Sequence, residues 1–95
     1  MATKKTLTEG ELAEVLRDNP GWRLEAGELV REWSFADFIE AMEFVKKVAA
    51  LAEAVNHHPN IDIRYNRVRL ALISHDAGGI TGRDAAMVEQ LNAIF

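Results

Sequence analysis

The feature that most constrains this chain is a change of period at Pro59. Before it, apolar residues recur at spacings of three and four, at Phe38, Met42, Val45, Ala49, Ala52 and Val55. That spacing lines one face of an α-helix. After it they recur at every second residue, at Ile61, Ile63 and Tyr65 and again at Val68, Leu70 and Leu72. Such alternation describes strands with one buried face. A tight turn at Asn66-Arg67 separates the two runs, so they fold back on each other as an antiparallel hairpin. A long helix feeding directly into a hairpin leaves a small chain one economical layout, with helices laid over an antiparallel sheet.

The rest of the chain fits that layout. Thr8 and Glu11 spell a capping box that starts a helix over Thr8 to Asp18. Its buried stripe is Leu12, Val15 and Leu16, and Asn19-Pro20-Gly21 stops it. Trp22–Glu25 and Leu29–Trp33 are two short strands joined through Ala26-Gly27-Glu28, a glycine-bearing hairpin turn. Ser34 with Asp37 makes a second capping box, opening the long helix over Phe35 to His57. Phe35, Ile39 and Phe44 widen its apolar face beyond what one small sheet covers, which suggests a partner surface. Thr81-Gly82-Arg83-Asp84 opens a last helix with Ala85, Val88, Leu91 and Ile94 inward. Residues 1–7 read as a loose tail and Asp76-Ala77-Gly78-Gly79 as a flexible loop. The expectation is one α+β domain over residues 1–95. It has a four-stranded antiparallel sheet with three helices packed on one face, in the order α-β-β-α-β-β-α.

Composition removes several function classes. The 95 residues suffice for one modest core. Fifteen acidic against eleven basic residues give a net charge of −4, so no basic face attracts nucleic acid. The chain has no cysteine, which removes disulfides, thiolate nucleophiles and thiolate metal sites. No apolar run approaches the roughly 20 residues of a membrane span. Met1 to Thr8 is polar, without a signal-peptide core. The expected location is the cytoplasm.

The chemistry concentrates at the period change. All three histidines lie there or one hairpin away, at His57, His58 and His75. Pro59 pushes His58 out of helical geometry, so His57 closes the helix and the two rings splay. Glu53 lies four residues before His57, on the same helical face, where its carboxylate can orient that ring. The hairpin returns the chain so that His75 arrives near Pro59. Histidines that converge near a supporting carboxylate are acid–base equipment. Taken alone, His-His-Pro also describes an ordinary surface helix end, favoured by the helix dipole.

The spacing Glu53-x3-His57-His58-Pro59-x5-Tyr65-x9-His75-x8-Asp84 resembles the signature of the pterin-4a-carbinolamine dehydratase family, over nearly the whole chain. The resemblance implies the same fold and the removal of water from a 4a-hydroxytetrahydropterin to give quinonoid dihydropterin, in tetrahydropterin recycling. It implies no metal and no cofactor. It casts His57 and His75 as acids, and His58 as pterin holder and base, with Glu53 in support. Backbone around Asn56 and across Ser74, His75 and Asp76 would meet the pterin edge. Thr81-x-x-Asp84 accounts for Asp84 as mainly a helix cap, and Tyr65 reads as a packing residue. The family also points to a homodimer or homotetramer. Two rivals stand beside the enzyme. One is a zinc site built from the three histidines and a carboxylate, which the adjacent, splayed histidines disfavour. The other is a non-catalytic dimerisation module that uses the long helix, as the family does for a transcription factor in animals.

Overall fold

Two tight turns set the sheet. Ala26 and Gly27 both take positive φ, 52° and 81°, the backbone of a two-residue turn whose twist matches its flanking strands. It joins β1 (Arg23–Glu25) to β2 (Glu28–Ser34). Tyr65 and Asn66 make the second turn, with Tyr65 at φ 54°, between β3 (Asn60–Arg64) and β4 (Arg67–Leu72). The turn therefore falls one residue earlier than expected. Asn66 is fixed from behind, because its Nδ2 donates to the Phe35 carbonyl at 2.8 Å and the Phe35 N–H donates to the Asn66 carbonyl at 2.8 Å. The computed structural model describes residues 5–94 of the chain. It adds α1 (Glu9–Asp18), α2 (Phe38–Val55) and α3 (Gly82–Ile94), in the expected α-β-β-α-β-β-α order.

The sheet order is β1-β2-β4-β3, antiparallel throughout. Leu29 faces Leu72 and Trp33 faces Val68 across β2 and β4. These four side chains and Leu70 are buried on the helix-covered face. Against them pack Ala41, Phe44, Val48 and Ala52 of α2 and Met87, Val88 and Leu91 of α3. The Trp33 ring lies 5.7 Å from Trp22 and 4.8 Å from Phe44, within the range where aromatic pairs attract.

Several local expectations are corrected. The buried row of α2 is Ala41, Phe44, Val48 and Ala52, which shares only Ala52 with the row read from sequence. Glu40, Glu43, Lys46, Lys47 and Glu53 share one side of this helix and apolar residues cover the rest of its circumference, so the period alone leaves its phase open. The small Ala41 and Ala52 let it approach the sheet, which leaves Phe38 48% and Ile39 71% exposed. Asp37, not Ser34, is the N-cap of α2, accepting from the Glu40 N–H at 2.9 Å. Glu40 reaches back to the Ala36 N–H. Ile61 and Ile63 are only partly covered and Tyr65 is 67% exposed, because β3 is an edge strand and α2 lies over β4. Tyr65 is thus not a packing residue in this chain. The stripe of α1 is half-buried, although its Thr8–Glu11 capping box forms as expected. Residues 6 and 7 are not loose: Thr6 bridges Thr81, and the Leu7 N–H donates to the Ile80 carbonyl at 2.8 Å. The rest of the expected tail, residues 1–4, lies outside the described residues.

Candidate active site

The site begins where α2 stops. Asn56 takes left-handed geometry, φ 53° and ψ 45°, which asparagine tolerates better than most residues. Its N–H and that of His57 both donate to the Ala52 carbonyl, the hydrogen bonding of a helix ended by a left-handed residue. The helix therefore closes before both histidines, earlier than expected. The reversal at Asn56 sends the rings in opposite directions. His57 turns inward, its side chain 10% exposed, and Nε2 lies 2.6 Å from Asp84 Oδ1. His58 turns outward, 53% exposed, and Nε2 lies 2.6 Å from Glu53 Oε2. The expectation that Glu53 orients His57 is corrected. Spacing of four aligns two residues only while the helix continues, and here it ends between them.

Asp84 is the residue that sequence reasoning undervalued. It does cap α3, since Oδ2 accepts from the Thr81 N–H at 2.8 Å. It is also fully buried, accepts from the Ser74 hydroxyl at 2.8 Å and holds His57 with its other oxygen. The legible signal was that a carboxylate has two oxygens and a cap uses one.

The third segment is the loop after β4. Ser74 and Gly79 form a bridge, and the N–H groups of Ala77, Gly78 and Gly79 all point to the Ser74 carbonyl at 3.0–3.3 Å. Gly78 supplies the positive φ, 75°, that lets so tight a loop close. The loop expected to be flexible is bonded to itself. It is also clamped to α3, because Arg83 Nη2 donates to Asp76 Oδ1 at 2.6 Å. Ser74 is buried, with its hydroxyl and both backbone groups engaged. His75 is exposed and makes no side-chain hydrogen bond among the described residues. Ser74 and His57 thus meet on one buried carboxylate, and His75 follows Ser74 directly. His58 and Glu53 form a separate, exposed pair beside them.

This geometry supplies protonatable nitrogens held by carboxylates at a helix end. Among the described residues, no three histidine or carboxylate side chains gather as a set able to hold a metal. The sequence pattern of the family described as pterin 4 alpha carbinolamine dehydratase matches residues 5–94. The chain belongs to this family. A protein of Chloroflexus aurantiacus, named provisionally as a pterin-4-alpha-carbinolamine dehydratase, is 54% identical over 89 residues, covering 94% of this chain and 96% of that one. A crystal structure described as a transcriptional coactivator/pterin dehydratase from Brucella melitensis superposes with a TM-score of 0.89 at 37% identity. It covers 95% of this chain and 98% of the other. A pterin dehydratase-like protein described as a RuBisCO assembly factor of the alpha-carboxysome superposes at TM-score 0.66 and 23% identity, over 78% and 88% of the two chains. That last likeness concerns the fold. Membership in the carbinolamine dehydratase family makes the chain a hydro-lyase of the pterin class. Among the described residues, no helix is long and apolar enough to cross a membrane.

Proposed function

We propose that the chain dehydrates a 4a-hydroxytetrahydropterin by histidine acid–base catalysis, as a step in tetrahydropterin recycling. The observation that carries this reading is the buried His57–Asp84 pair at 2.6 Å, in a chain of the carbinolamine dehydratase family. In the reaction the C4a–O bond breaks. The oxygen leaves as water once an acid protonates it, and the neighbouring ring nitrogen gives its proton to a base. Groups that titrate near neutral pH suit both transfers, which are worth roughly 10²–10⁴-fold in rate. His57 and His75 are assigned as the acids. His58 is assigned to the pterin and to the base, and the Glu53 carboxylate on its Nε2 supports that assignment. The pterin edge would lie against the backbone of Asn56 and of the Ser74–Asp76 segment. Ser74's own groups are engaged, so His75 and Asp76 carry most of that contact.

The working unit is proposed to be a homodimer or homotetramer in the cytoplasm. Phe38 and Ile39, exposed together at the start of α2, support self-association, since apolar patches of this kind mark interfaces. Sedimentation at micromolar concentration should show a dimer or larger species, and a monomer would reject this part.

The test of function is turnover of a 4a-hydroxytetrahydropterin generated in place, with metal-free protein. Activity should survive a chelator, and loss that zinc restores would favour a metal site instead. His58→Ala should weaken affinity and turnover together. His57→Ala and His75→Ala should mainly lower turnover, and the double variant should be worse than either. Wild-type rates in all three folded single variants would overturn the assignment.

A further inference from the structure

The hydrogen bonds beneath His57 have a direction, and it fixes where the ring keeps its proton. A backbone N–H can only donate. The Arg83 N–H donates to Thr81 Oγ1 at 3.2 Å, and the Thr81 N–H donates to Asp84 Oδ2 at 2.8 Å. The Ser74 hydroxyl donates its one proton to the same Oδ2 at 2.8 Å. The contact of 2.8 Å between the Ser74 and Thr81 hydroxyls must then be a donation from Thr81 to Ser74. Asp84 Oδ2 thus receives two donors and carries no proton of its own, and an ionised aspartate accepts at its other oxygen as well. The proton between Oδ1 and His57 Nε2 therefore sits on the ring.

We propose that Ser74 and Thr81 are positioning residues that, through Asp84, hold one proton of His57 on Nε2, so that Nδ1 is the atom it turns to the substrate and the second proton of the imidazolium form, on Nδ1, is the one it gives as an acid. Thr81, Arg83 and Asp84 all lie at the start of α3. From there they hold His57, Ser74 and, through the Arg83–Asp76 pair, the loop that carries His75. One helical turn thereby sets the spacing of the two proposed acids. Ser74 and Thr81 touch no reacting atom in this scheme and act only through the carboxylate. The mention of substrate rests on the dehydratase reading above, but the proton assignment does not.

The decisive experiment is nitrogen-15 NMR of the imidazoles in full-length protein without substrate, assigned by His→Gln variants, above the ring's titration. His57 should show a protonated Nε2 and a bare Nδ1. In Asp84→Asn the Ser74 and Thr81 donors still require an oxygen, so the amide NH₂ faces His57 and the tautomer should invert. Its turnover should fall by about 10²-fold or more with KM little changed, as when a carboxylate that orients a catalytic histidine becomes an amide. Thr81→Val should lower kcat by roughly 10-fold, a common cost of losing a supporting hydrogen bond, while Thr81→Ser restores it. A proton on Nδ1 in the wild type overturns the proposal, as does an unchanged tautomer in folded Asp84→Asn. If Asp84→Asn does not fold, the wild-type spectrum and the Thr81 pair still decide. Failure of pterin turnover with the expected spectrum would sink the function and leave the proton assignment. High turnover with the opposite tautomer would do the reverse.

Discussion

Glu53 Oε2 meets His58 Nε2 at 2.6 Å, five residues along the chain. On an unbroken helix, residues five apart point about 140° away from each other. The meeting is possible because Asn56 reverses the backbone between them. The same reversal delivers His57 to Asp84, on the opposite side. One left-handed residue thus separates a buried histidine–carboxylate pair from an exposed one.

The backbone at Asn56 is therefore open to a direct test. Asn56→Ala should cost about 1 kcal/mol, because a Cβ without a compensating amide is disfavoured in left-handed geometry. Asn56→Gly should be neutral within a few tenths of a kcal/mol and should keep activity if only backbone meets the pterin. Urea titrations of both variants give the comparison. Equal losses in the two would mean that the Asn56 side chain has another role.

The phase of α2 predicts an asymmetry between two phenylalanines on one helix. Phe44 is buried and touches the Trp33 and Phe35 rings. Phe44→Ala should lose about 3–5 kcal/mol. Within a single protomer Phe38→Ala should lose less than about 1 kcal/mol, since nearly half of its surface is exposed there, and any further loss from the proposed interface would depend on protein concentration. Denaturant midpoints in the reverse order would restore the row read from sequence.

Asn92 ties three elements together. Its Oδ1 accepts from Trp22 Nε1 at 2.9 Å and from Arg31 Nη1 at 2.7 Å, and its Nδ2 donates to Asn19 Oδ1 at 2.8 Å. Asn92→Ala would leave the indole N–H of buried Trp22 without an acceptor, at a cost of about 1–3 kcal/mol. Asn92→Asp keeps both accepted bonds and should lose less. A stability measurement that ranks Asp below Ala would contradict this account.

On the open face of the sheet, hydrogen bonds from Arg23 and Arg69 hold the Glu25 carboxyl below its ordinary range. A carboxyl lowered by folding adds stability above its unfolded pKa of roughly 4.3. That contribution is lost as pH falls through the lower folded value. The advantage of wild type over Glu25→Gln should be fully present near neutral pH and shrink on acidification. Since the site is exposed, added salt should reduce it too. Paired melting curves across pH check the sign, and an advantage that grows in acid would refute it.

Much of this protein was fixed locally. Capping residues, turn glycines and the switch from a helical to a twofold period yield seven elements in the right order. Each of those signals acts within a few residues, through backbone hydrogen bonds and the burial of one face. The spacing from Glu53 to Asp84 likewise marked the family, and with it the histidines. Partner choice was decided by the fold. Glu53 pairs with His58 because the helix ends at Asn56, a boundary that a proline three residues later does not locate to the residue. Asp84 and Ser74 are ten residues apart, and Asp84 and His57 are twenty-seven apart. They meet because β4 and the start of α3 arrive beside the end of α2. The phase of α2 was decided in the same way. When the apolar face of a helix is wider than one buried row, the shape of the surface it packs against selects that row.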